Sequence, residues 1–247
     1  TFSSGVWEGT VTITLADTVT LQVDDGVLAT DSEGPFTVYP GPVSSFRVKD
    51  DSGNDIGQQT AGVSFKIDVT ALDAYGNVVG SGPNNYDGAN TGVDISLSNG
   101  GVITYTSTAG QFSNGVLNDW DVTIPGADTG VRIQVANNGG TDGNGTYGVD
   151  ESGQSNAFDV VADSATKFNI VTSIGDQVAG VGFSVRIEAL DGNNNIDTTY
   201  NGSATLSDIN GPPNATISPS SITFSSGVWE GTVTITLADT VTLQVDD

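Results

Sequence analysis

Hydrophobic and polar residues alternate along several short stretches of the chain. Residues 63–69 read VSFKIDV, residues 181–187 read VGFSVRI and residues 232–237 read TVTITL, with every second side chain apolar. Such a period of two buries one face of a β-strand and leaves the other face wet. Gly/Asn/Asp-rich turns such as 73–77 and 191–195 separate these stretches. The pattern predicts an all-β chain with about seven short strands in each roughly 100 residues, which is typical of a β-sandwich.

The chain also repeats itself. Segments 1–25 and 223–247 are identical and read TFSSGVWEGTVTITLADTVTLQVDD. The copies begin at Thr1 and Thr223, which defines a 222-residue period. A shared fold fixes the apolar periodicity but not the surface Thr and Asp residues, so this identity predicts a tandem array with that period.

A second, more divergent duplication lies inside the period. Residues 58–77 (QQTAGVSFKIDVTALDAYGN) match residues 176–195 (DQVAGVGFSVRIEALDGNNN), and GQFSNGV at 110–116 matches ITFSSGV at 222–228. We therefore predict two alternating modules. Module A covers 41–161, module B covers 162–247 and lacks its last strand, and residues 1–40 form the C-terminal half of a preceding B module.

Module A departs from module B at three places. It has Leu117 where module B has Trp229, and it has an apparent extra residue near Trp120. It also carries a Gly/Asn/Asp-rich insert at 137–156.

The run AGVSFKIDVTALDAYGNVV at 61–79 and the run FSSGVWEGTVTI at 224–235 resemble bacterial immunoglobulin-like repeats. Those repeats occur in invasin-type and other giant surface adhesins. The resemblance covers nearly the whole chain, and it implies tandem immunoglobulin-like β-sandwiches arranged end to end. It also implies an extracellular, cell-surface location and a rod that carries something away from the cell.

Composition excludes several classes of function. The chain has no Cys, His or Met, so it cannot form a Ser-His-Asp triad, a Cys nucleophile or an ordinary zinc site. Asp and Glu number 30 against 6 Lys and Arg, for a net charge of −24. This charge argues against nucleic acid and anionic membranes as partners. No apolar run approaches the roughly 18 residues of a membrane-spanning helix, so we expect no membrane insertion.

Acidic turns are the candidate metal sites. Oxygen-rich loops suit Ca²⁺, but the glycine and glutamate of an EF-hand loop are missing, and Asp, Asn and Gly are also the ordinary turn residues of β proteins. No cofactor is required, and both a Ca²⁺ site and plain turns remain open. The candidate ligands are Asp191, Asn193, Asn195 and Asp197 in one turn, and Asp142, Asn144, Asp150 and Glu151 in the insert.

Three further features have a functional and a structural interpretation. Glycosylation sequons occur at Asn144, Asn201 and Asn214. Trp7, Trp120 and Trp229 suit either a carbohydrate-stacking surface or, as we favour, core and inter-module packing. Lys49, Lys66 and Lys167 alternate outward along their strands, which argues against lysine–asparagine crosslinks.

No acid lies beside a second carboxylate and an aromatic sugar platform, so we predict that the chain is not an enzyme.

The last strand of module B has two explanations. In a covalent array, the next period supplies the equivalent of Phe36, Thr37, Val38 and Tyr39. In a non-covalent filament, these residues form an inter-subunit strand that enters the B module of another copy. We favour the array because a donor strand would not need a second copy of segment 1–25. In either case the partners are neighbouring copies of the repeat, joined head to tail.

We therefore predict a structural repeat unit of an extracellular fibre, stalk or adhesin rod that acts as a mechanical spacer. The alternatives are a glycan- or surface-binding adhesive module and a subunit of a donor-strand-assembled filament.

Overall fold

The computed structural model describes residues 2–87, 92–106, 111–137, 151–210 and 215–247. Within them, the one helical element is a single 3₁₀ turn at Gly82–Asn84, and no helix is long and apolar enough to cross a membrane. The strands are β1 (Thr18–Val23), β2 (Asp31–Thr37), β3 (Ser45–Asp50), β4 (Gln59–Thr60), β5 (Ser64–Leu72), β6 (Val93–Leu97), β7 (Thr104–Tyr105), β8 (Val116–Thr123), β9 (Asp128–Val131), β10 (Ile133–Asn137), β11 (Ser152–Gln154), β12 (Phe158–Val161), β13 (Lys167–Ile170), β14 (Phe183–Leu190), β15 (Ser203–Asp208), β16 (Ile217–Ser218), β17 (Ser221–Thr223), β18 (Val228–Ile235) and β19 (Leu243–Asp246). The all-β prediction is confirmed.

Strands β3 to β12 form three sheets around one hydrophobic core. The sheets have the orders β3-β5-β8-β7, β11-β10-β6 and β4-β12-β9. Alternate side chains of these strands point inward, including Val48 on β3, Val69 on β5, Ile95 on β6 and Ile133 on β10. We call the buried residues between Val43 and Val160 the first cluster.

Strands β13 to β19 form two sheets with the orders β13-β14-β18-β16 and β17-β15-β19. Their inward side chains form a second cluster of buried residues between Val185 and Val233, with partly buried neighbours from Ala165 to Val245. The alternation of apolar and polar residues in β14 and β18 fixes which face is buried, because a one-residue slip would turn the apolar set outward.

Both clusters contain the same aromatic triad. Tyr86 and Phe112 lie 4.8 Å apart between ring centroids, and Phe46 packs against Tyr86 at 5.7 Å. In the second cluster, the Tyr200 and Phe224 centroids are 5.3 Å apart, and Phe168 packs against both rings. These edge-on contacts, and the stacked contact between Phe168 and Phe224, add to the stabilisation that comes from burial.

The extra residue expected near Trp120 is a β-bulge in β8. Ile67 pairs with Trp120 and Val69 pairs with Leu117, so three steps along β8 oppose two along β5. Asp119 takes a positive φ of 55° at this point. The equivalent pair β14–β18 has a regular register, in which Ile187 pairs with Trp229. The chain thus accommodates the extra residue of module A as a β-bulge.

The turn that precedes β18 occurs three times in the chain. Ser4-Gly5, Asn114-Gly115 and Ser226-Gly227 all have two successive positive φ angles, close to 50° and 77°. Two successive positive φ angles define the type I′ hairpin turn, which favours Asn and Gly. The same local sequence thus forms the same turn at all three sites.

The surroundings of the two identical segments nevertheless differ. Phe224 is 2% exposed and Val233 is fully buried in the second cluster. Their counterparts, Phe2 and Val11, are 65% and 52% exposed. Residues 2–17 form no strand, β1 pairs with β2 in a separate two-stranded sheet, and neither strand belongs to either cluster.

Candidate functional site

Two acidic turns hold consecutive parts of the chain together, and we call them the junction turns. The first covers 73–77. The buried Asp73 carboxylate accepts hydrogen bonds through Oδ1 from the backbone N–H groups of Tyr75 and Asn77, both at 2.9 Å. Its Oδ2 accepts the backbone N–H of Gly41 at 2.9 Å and the Asn77 side-chain amide at 2.9 Å. A single carboxylate thus shapes the turn and fixes the segment that leads into β3.

Asn77 reaches further back along the chain. Its Oδ1 accepts the backbone N–H of Ala16 at 3.0 Å, and its Nδ2 donates to the carbonyl of Thr14 at 2.7 Å. Ala16 lies 61 residues and Thr14 lies 63 residues before Asn77, ahead of β1. The two hydrogen bonds attach the segment before β1 to the turn after β5.

The second junction turn, 191–195, repeats the same hydrogen bonds. Asp191 Oδ1 accepts the backbone N–H groups of Asn193 and Asn195 at 2.8 Å, and its Oδ2 accepts the Asp163 N–H at 3.2 Å and the Asn195 amide at 2.9 Å. Asn195 then accepts the N–H of Ala127 at 2.9 Å and donates to the Pro125 carbonyl at 2.7 Å.

The segments bound by the two turns correspond to each other in sequence. Residues 11–17 read VTITLAD and residues 122–128 read VTIPGAD, so Thr14 and Ala16 match Pro125 and Ala127. Both junction turns therefore have the same Asp, the same Asn four residues later and equivalent backbone partners. This repetition distinguishes the junction turns from ordinary surface turns.

The pKa values of both junction carboxyls fall below the ordinary range. Burial alone raises the pKa of Asp191, but the hydrogen bonds from the Asn195 side chain and from the backbone of Asn195, Asn193 and Asp163 outweigh it. The pKa of Asp73 is lowered in the same way, with burial opposed by the donors of Asn77, Gly41 and Tyr75. Each carboxyl is therefore ionised at neutral pH.

Two other buried aspartates serve the turns of the second cluster. Asp197 accepts the backbone N–H groups of Ala165 and Thr199 at 2.9 Å and the Thr199 hydroxyl at 2.6 Å. Burial raises its pKa, but these bonds lower it overall. The backbone N–H groups of Ala215, Asn210 and Thr242 lower the pKa of Asp208.

The structure locates five of the eight predicted calcium ligands. Asp191, Asn195 and Asp197 direct their oxygens at N–H and O–H donors, and the Asn137 side chain donates to Glu151 at 3.2 Å. The Asn193 side chain lies beside Gly62. Among the described residues, no three Asp or Glu side chains group as metal ligands. Asp142, Asn144 and Asp150 lie outside the described residues, so the calcium site stays a prediction.

The tryptophans occupy packed positions. Trp120 is buried, donates from Nε1 to the Thr106 carbonyl at 3.0 Å, and meets Tyr105 edge-on. Trp229 is half-buried beside the second cluster, and its ring covers Gly231, where a Cβ would lie 2.4 Å from the ring. The equivalent Trp7 covers Gly9 in the same way, although it is 48% exposed.

Of the sequon residues, Asn201 is exposed, donates to the Thr199 carbonyl and accepts the Ser226 N–H. Asn144 and Asn214 lie outside the described residues, and glycosylation stays a prediction.

The lysines point away from the core, as expected. Lys49 pairs with Asp55 at 2.6 Å and Lys66 with Asp119 at 3.2 Å. Lys167 donates to the side chain of Asn194.

Residues Phe36 to Tyr39, the predicted inter-subunit strand, lie at and beyond the end of β2. Phe36 pairs with Val19 of β1, and Val38 N–H donates to the Asp17 carbonyl at 2.8 Å. One edge of this strand is therefore occupied by the identical-repeat segment of the same chain. Phe36 remains 38% exposed and Tyr39 52% exposed.

Sequence reasoning identified Asp191 and Asn195 as candidates but assigned them to calcium, and it missed Asp73 and Asn77. The signal was present in the sequence, because an Asp followed four residues later by an Asn ends both matched segments, 58–77 and 176–195. This signal does not identify the backbone partners of Asn77 and Asn195, which lie in distant parts of the chain.

Comparison with known proteins gives distant structural neighbours. No family model and no curated protein matches the chain. FdeC, an Escherichia coli adhesin, is 17% identical with a TM-score of 0.36, over 85% of this chain and 62% of the FdeC structure. Domains 4 and 5 of the S-layer protein SbsC are 15% identical with a TM-score of 0.28, over 83% of this chain and 93% of theirs. A longer SbsC structure is 19% identical with a TM-score of 0.31, over 93% of this chain and 26% of its own length.

This chain therefore spans less than two thirds of the FdeC structure. TM-scores this low do not support a detailed structural comparison. The fold is therefore described from the strand pairing of this chain alone.

Proposed function

We propose that the chain is a structural repeat unit of an extracellular, cell-surface fibre, stalk or adhesin rod, in which it acts as a mechanical spacer. In this proposal, immunoglobulin-like sandwiches follow one another end to end in a covalent array, with the period that the identical segments define. The observation that carries the proposal is the repeated junction turn, which fixes each hydrophobic cluster to the segment before it through the same set of hydrogen bonds.

A spacer must resist bending where its units meet. Each junction turn binds a segment far back along the chain at two backbone atoms and the incoming linker at a third. Three points of attachment restrict rotation more than a linker alone, and Pro40 and Pro42 further restrict the first linker. The net charge of −24 keeps neighbouring rods apart.

The buried carboxyls argue for a structural role and against hydrolysis. A general acid in glycoside hydrolysis needs a raised pKa, so that it carries a proton at neutral pH. The pKa values of Asp73, Asp191 and Asp197 are instead lowered, and their oxygens already accept N–H groups. The packed positions of Trp120 and Trp229 likewise favour a spacer over a sugar-stacking surface.

The experiment measures stiffness across the second junction turn. Because the chain has no cysteine, Ser96→Cys on β6 and Ser207→Cys on β15 allow two spin labels to be attached at exposed positions on either side of this turn. Double electron–electron resonance should give a narrow distance distribution. Asn195→Ala should broaden this distribution, because it removes the bonds to Ala127 and Pro125.

Asn169→Ala is the matched control, since Asn169 lies exposed on β13. The control should keep the narrow distribution. A broad distribution in the unsubstituted pair, or no change on Asn195→Ala, would contradict the spacer role of the junction turn.

A further inference from the structure

The second cluster has an open groove along one edge. A cavity of about 770 Å³ lies between residues 174–179 and residues 237–243. Its apolar lining includes Ile170, Phe183, Ile235, Val241 and Leu243. In the described residues, no strand lies between these two edges.

In the first cluster, the corresponding place is filled by β12. This strand runs antiparallel to β9, with Phe158 opposite Val131, and parallel to β4, with Val161 opposite Thr60. The Phe158 ring packs edge-on against Phe65 at 6.1 Å, and the Ala61 N–H donates to the Val161 carbonyl at 2.8 Å.

The groove has the same lining residues as the β12 site. The match between 58–77 and 176–195 places Phe183 where Phe65 stands, and it places Ala179 where Ala61 stands. The match between GVRIQV at 130–135 and TVTLQV at 240–245 places Val241 where Val131 stands. The groove is therefore shaped for a strand with apolar residues at the positions of Phe158 and Val160.

Strand β2 and the residue after it have this pattern. NAFDVV at 156–161 matches GPFTVY at 34–39, so Phe36 and Val38 correspond to Phe158 and Val160. The pairing register also agrees: Phe36 pairs with Val19, and Val19 is identical in the repeat to Val241. In the β1–β2 sheet, β2 thus already has the register that the groove requires.

If segment 240–245 of another copy replaced β1, β2 would keep all of its sequence-specific contacts. The segment 240–245 at the groove has the same sequence as β1 at 18–23. Likewise, Thr236 and Ala238 repeat Thr14 and Ala16, the backbone partners of Asn77. Segment 223–247 of one copy can therefore replace segment 1–25 of a second copy in every hydrogen bond described above for β1 and for Asn77.

We propose that the groove is the acceptor site for β2 of the adjoining copy of the repeat, which in the covalent array is the next period of the same polypeptide. Segment 223–247 of the first copy takes the place of segment 1–25 of the second, and Phe36 enters the groove against Phe183. The exchange keeps the β2 ladder and buries Phe36 and Val38, which remain partly exposed beside β1. It also pairs the open edge at 177–179.

Such a contact is head to tail, because β2 and the groove lie on different parts of the chain. A contact of this type that does not close into a ring builds an open filament. The inference rests on the proposed function, whose end-to-end partner it identifies as an adjoining copy of the repeat.

The test is the mass of the chain in solution as its concentration rises. Light scattering and sedimentation at about physiological salt, which screens the acidic surfaces, should show weight-average masses above 25.1 kDa that increase with concentration. A synthetic peptide of residues 31–40 in excess should return the mass to that of one chain, because it occupies the groove.

Two substitutions in β2 sharpen the test. Phe36→Asp should hold the chain at 25.1 kDa, since a carboxylate cannot enter the apolar lining beside Phe183. Thr37→Asp is the matched control and should associate like the unsubstituted chain, because Asp159 occupies the corresponding outward position in β12. Phe36 lies outside both clusters, so neither variant threatens their folding.

A chain that stays at 25.1 kDa throughout, or a Phe36→Asp variant that associates like the unsubstituted chain, would overturn the proposal. Neither outcome would alter the spin-label distances across the second junction turn, so failure of the strand exchange and failure of the spacer role are separable.

Discussion

At the scale of single residues, the chain uses aspartate as a backbone acceptor. Asp73, Asp191, Asp197 and Asp208 are buried, and each accepts N–H groups that would otherwise lack partners in a turn. Hydrogen bonds to an ionised acceptor are stronger than neutral ones, and an unpaired buried donor is costly. These four aspartates, two of which first suggested metal binding, therefore have a structural use here.

Asp191→Asn should destabilise the second cluster by about 1–3 kcal/mol, because an amide nitrogen then faces the donors of Asp163 or Asn195. Urea unfolding at pH 7 measures this difference. Asp94→Asn, on an exposed position of β6, is the control and should change the free energy of unfolding by less than about 0.5 kcal/mol.

The same carboxyls predict loss of stability in acid. Their pKa values are lower in the folded chain than the unfolded value near 3.8. The stabilisation is therefore present above the unfolded pKa and is lost as the pH falls through the folded pKa. Urea unfolding from pH 7 to pH 2 should show this decline, and the difference between Asp191→Asn and the unsubstituted chain should shrink with it. A difference that stays constant over this range would contradict the assignment.

At the scale of secondary structure, the identical segments 1–25 and 223–247 separate local from tertiary effects. Both form the same turn, with φ near 50° and 77°, and both fold a Trp ring over a Gly. Only the second copy buries its apolar side chains, because β14 and β15 provide the opposing surface. Turn conformation is therefore local, whereas burial depends on partner strands.

Gly227→Ala should destabilise the chain considerably more than Gly5→Ala. Both glycines have positive φ angles, but a Cβ at Gly227 would lie 2.3 Å from the Asp197 carbonyl oxygen, and a Cβ at Gly5 meets nothing within 4 Å. We expect a loss of at least about 3 kcal/mol for Gly227→Ala and about 1–2 kcal/mol for Gly5→Ala, where only the positive φ opposes the substitution. Thermal unfolding monitored by circular dichroism compares the two variants, and equal losses would contradict this difference in packing.

Val233→Ala and Val11→Ala form a second matched pair. Val233 is fully buried and Val11 is 52% exposed, so the same substitution should cost about 2 kcal/mol at Val233 and less than about 0.5 kcal/mol at Val11. Urea unfolding followed by tryptophan fluorescence gives both values. Similar losses would mean that segment 1–25 is packed in solution like segment 223–247.

Several of these elements follow directly from the sequence. The period of two in 63–69 and 181–187 predicts β5 and β14, and comparison of the two modules shows the extra residue near Trp120 but not the bulge that accommodates it. The identical segments alone do not distinguish Phe2 from Phe224, because what differs is the partner strands that the rest of the chain supplies around Phe224. The hydrogen bond between Asn77 and Thr14 also could not be predicted from sequence, because no local pattern identifies a partner so far away along the chain.

At the scale of the whole molecule, the junction turns and the groove describe one mode of connection. Asn77 and Asn195 attach each cluster to the segment before it. Residues 236–243 beside the groove have the same sequence as residues 14–21, which Asn77 and β2 already bind. The proposed rod follows from repeating this connection once in every period.

Stiffness should depend on both junction turns together. A chain with Asn77→Ala and Asn195→Ala should be more flexible than either single variant, because the two sites share no partners. Small-angle X-ray scattering should show this as a broader distribution of interatomic distances, while circular dichroism keeps its β-sheet signal. A scattering curve unchanged by the double substitution would mean that other contacts set the stiffness.

The mass of the native protein under full denaturation tests the central claim most directly. A covalent array predicts a single polypeptide with the mass of many periods. A band at the 25.1 kDa of this chain would contradict the array and would leave strand exchange between separate copies as the only head-to-tail connection.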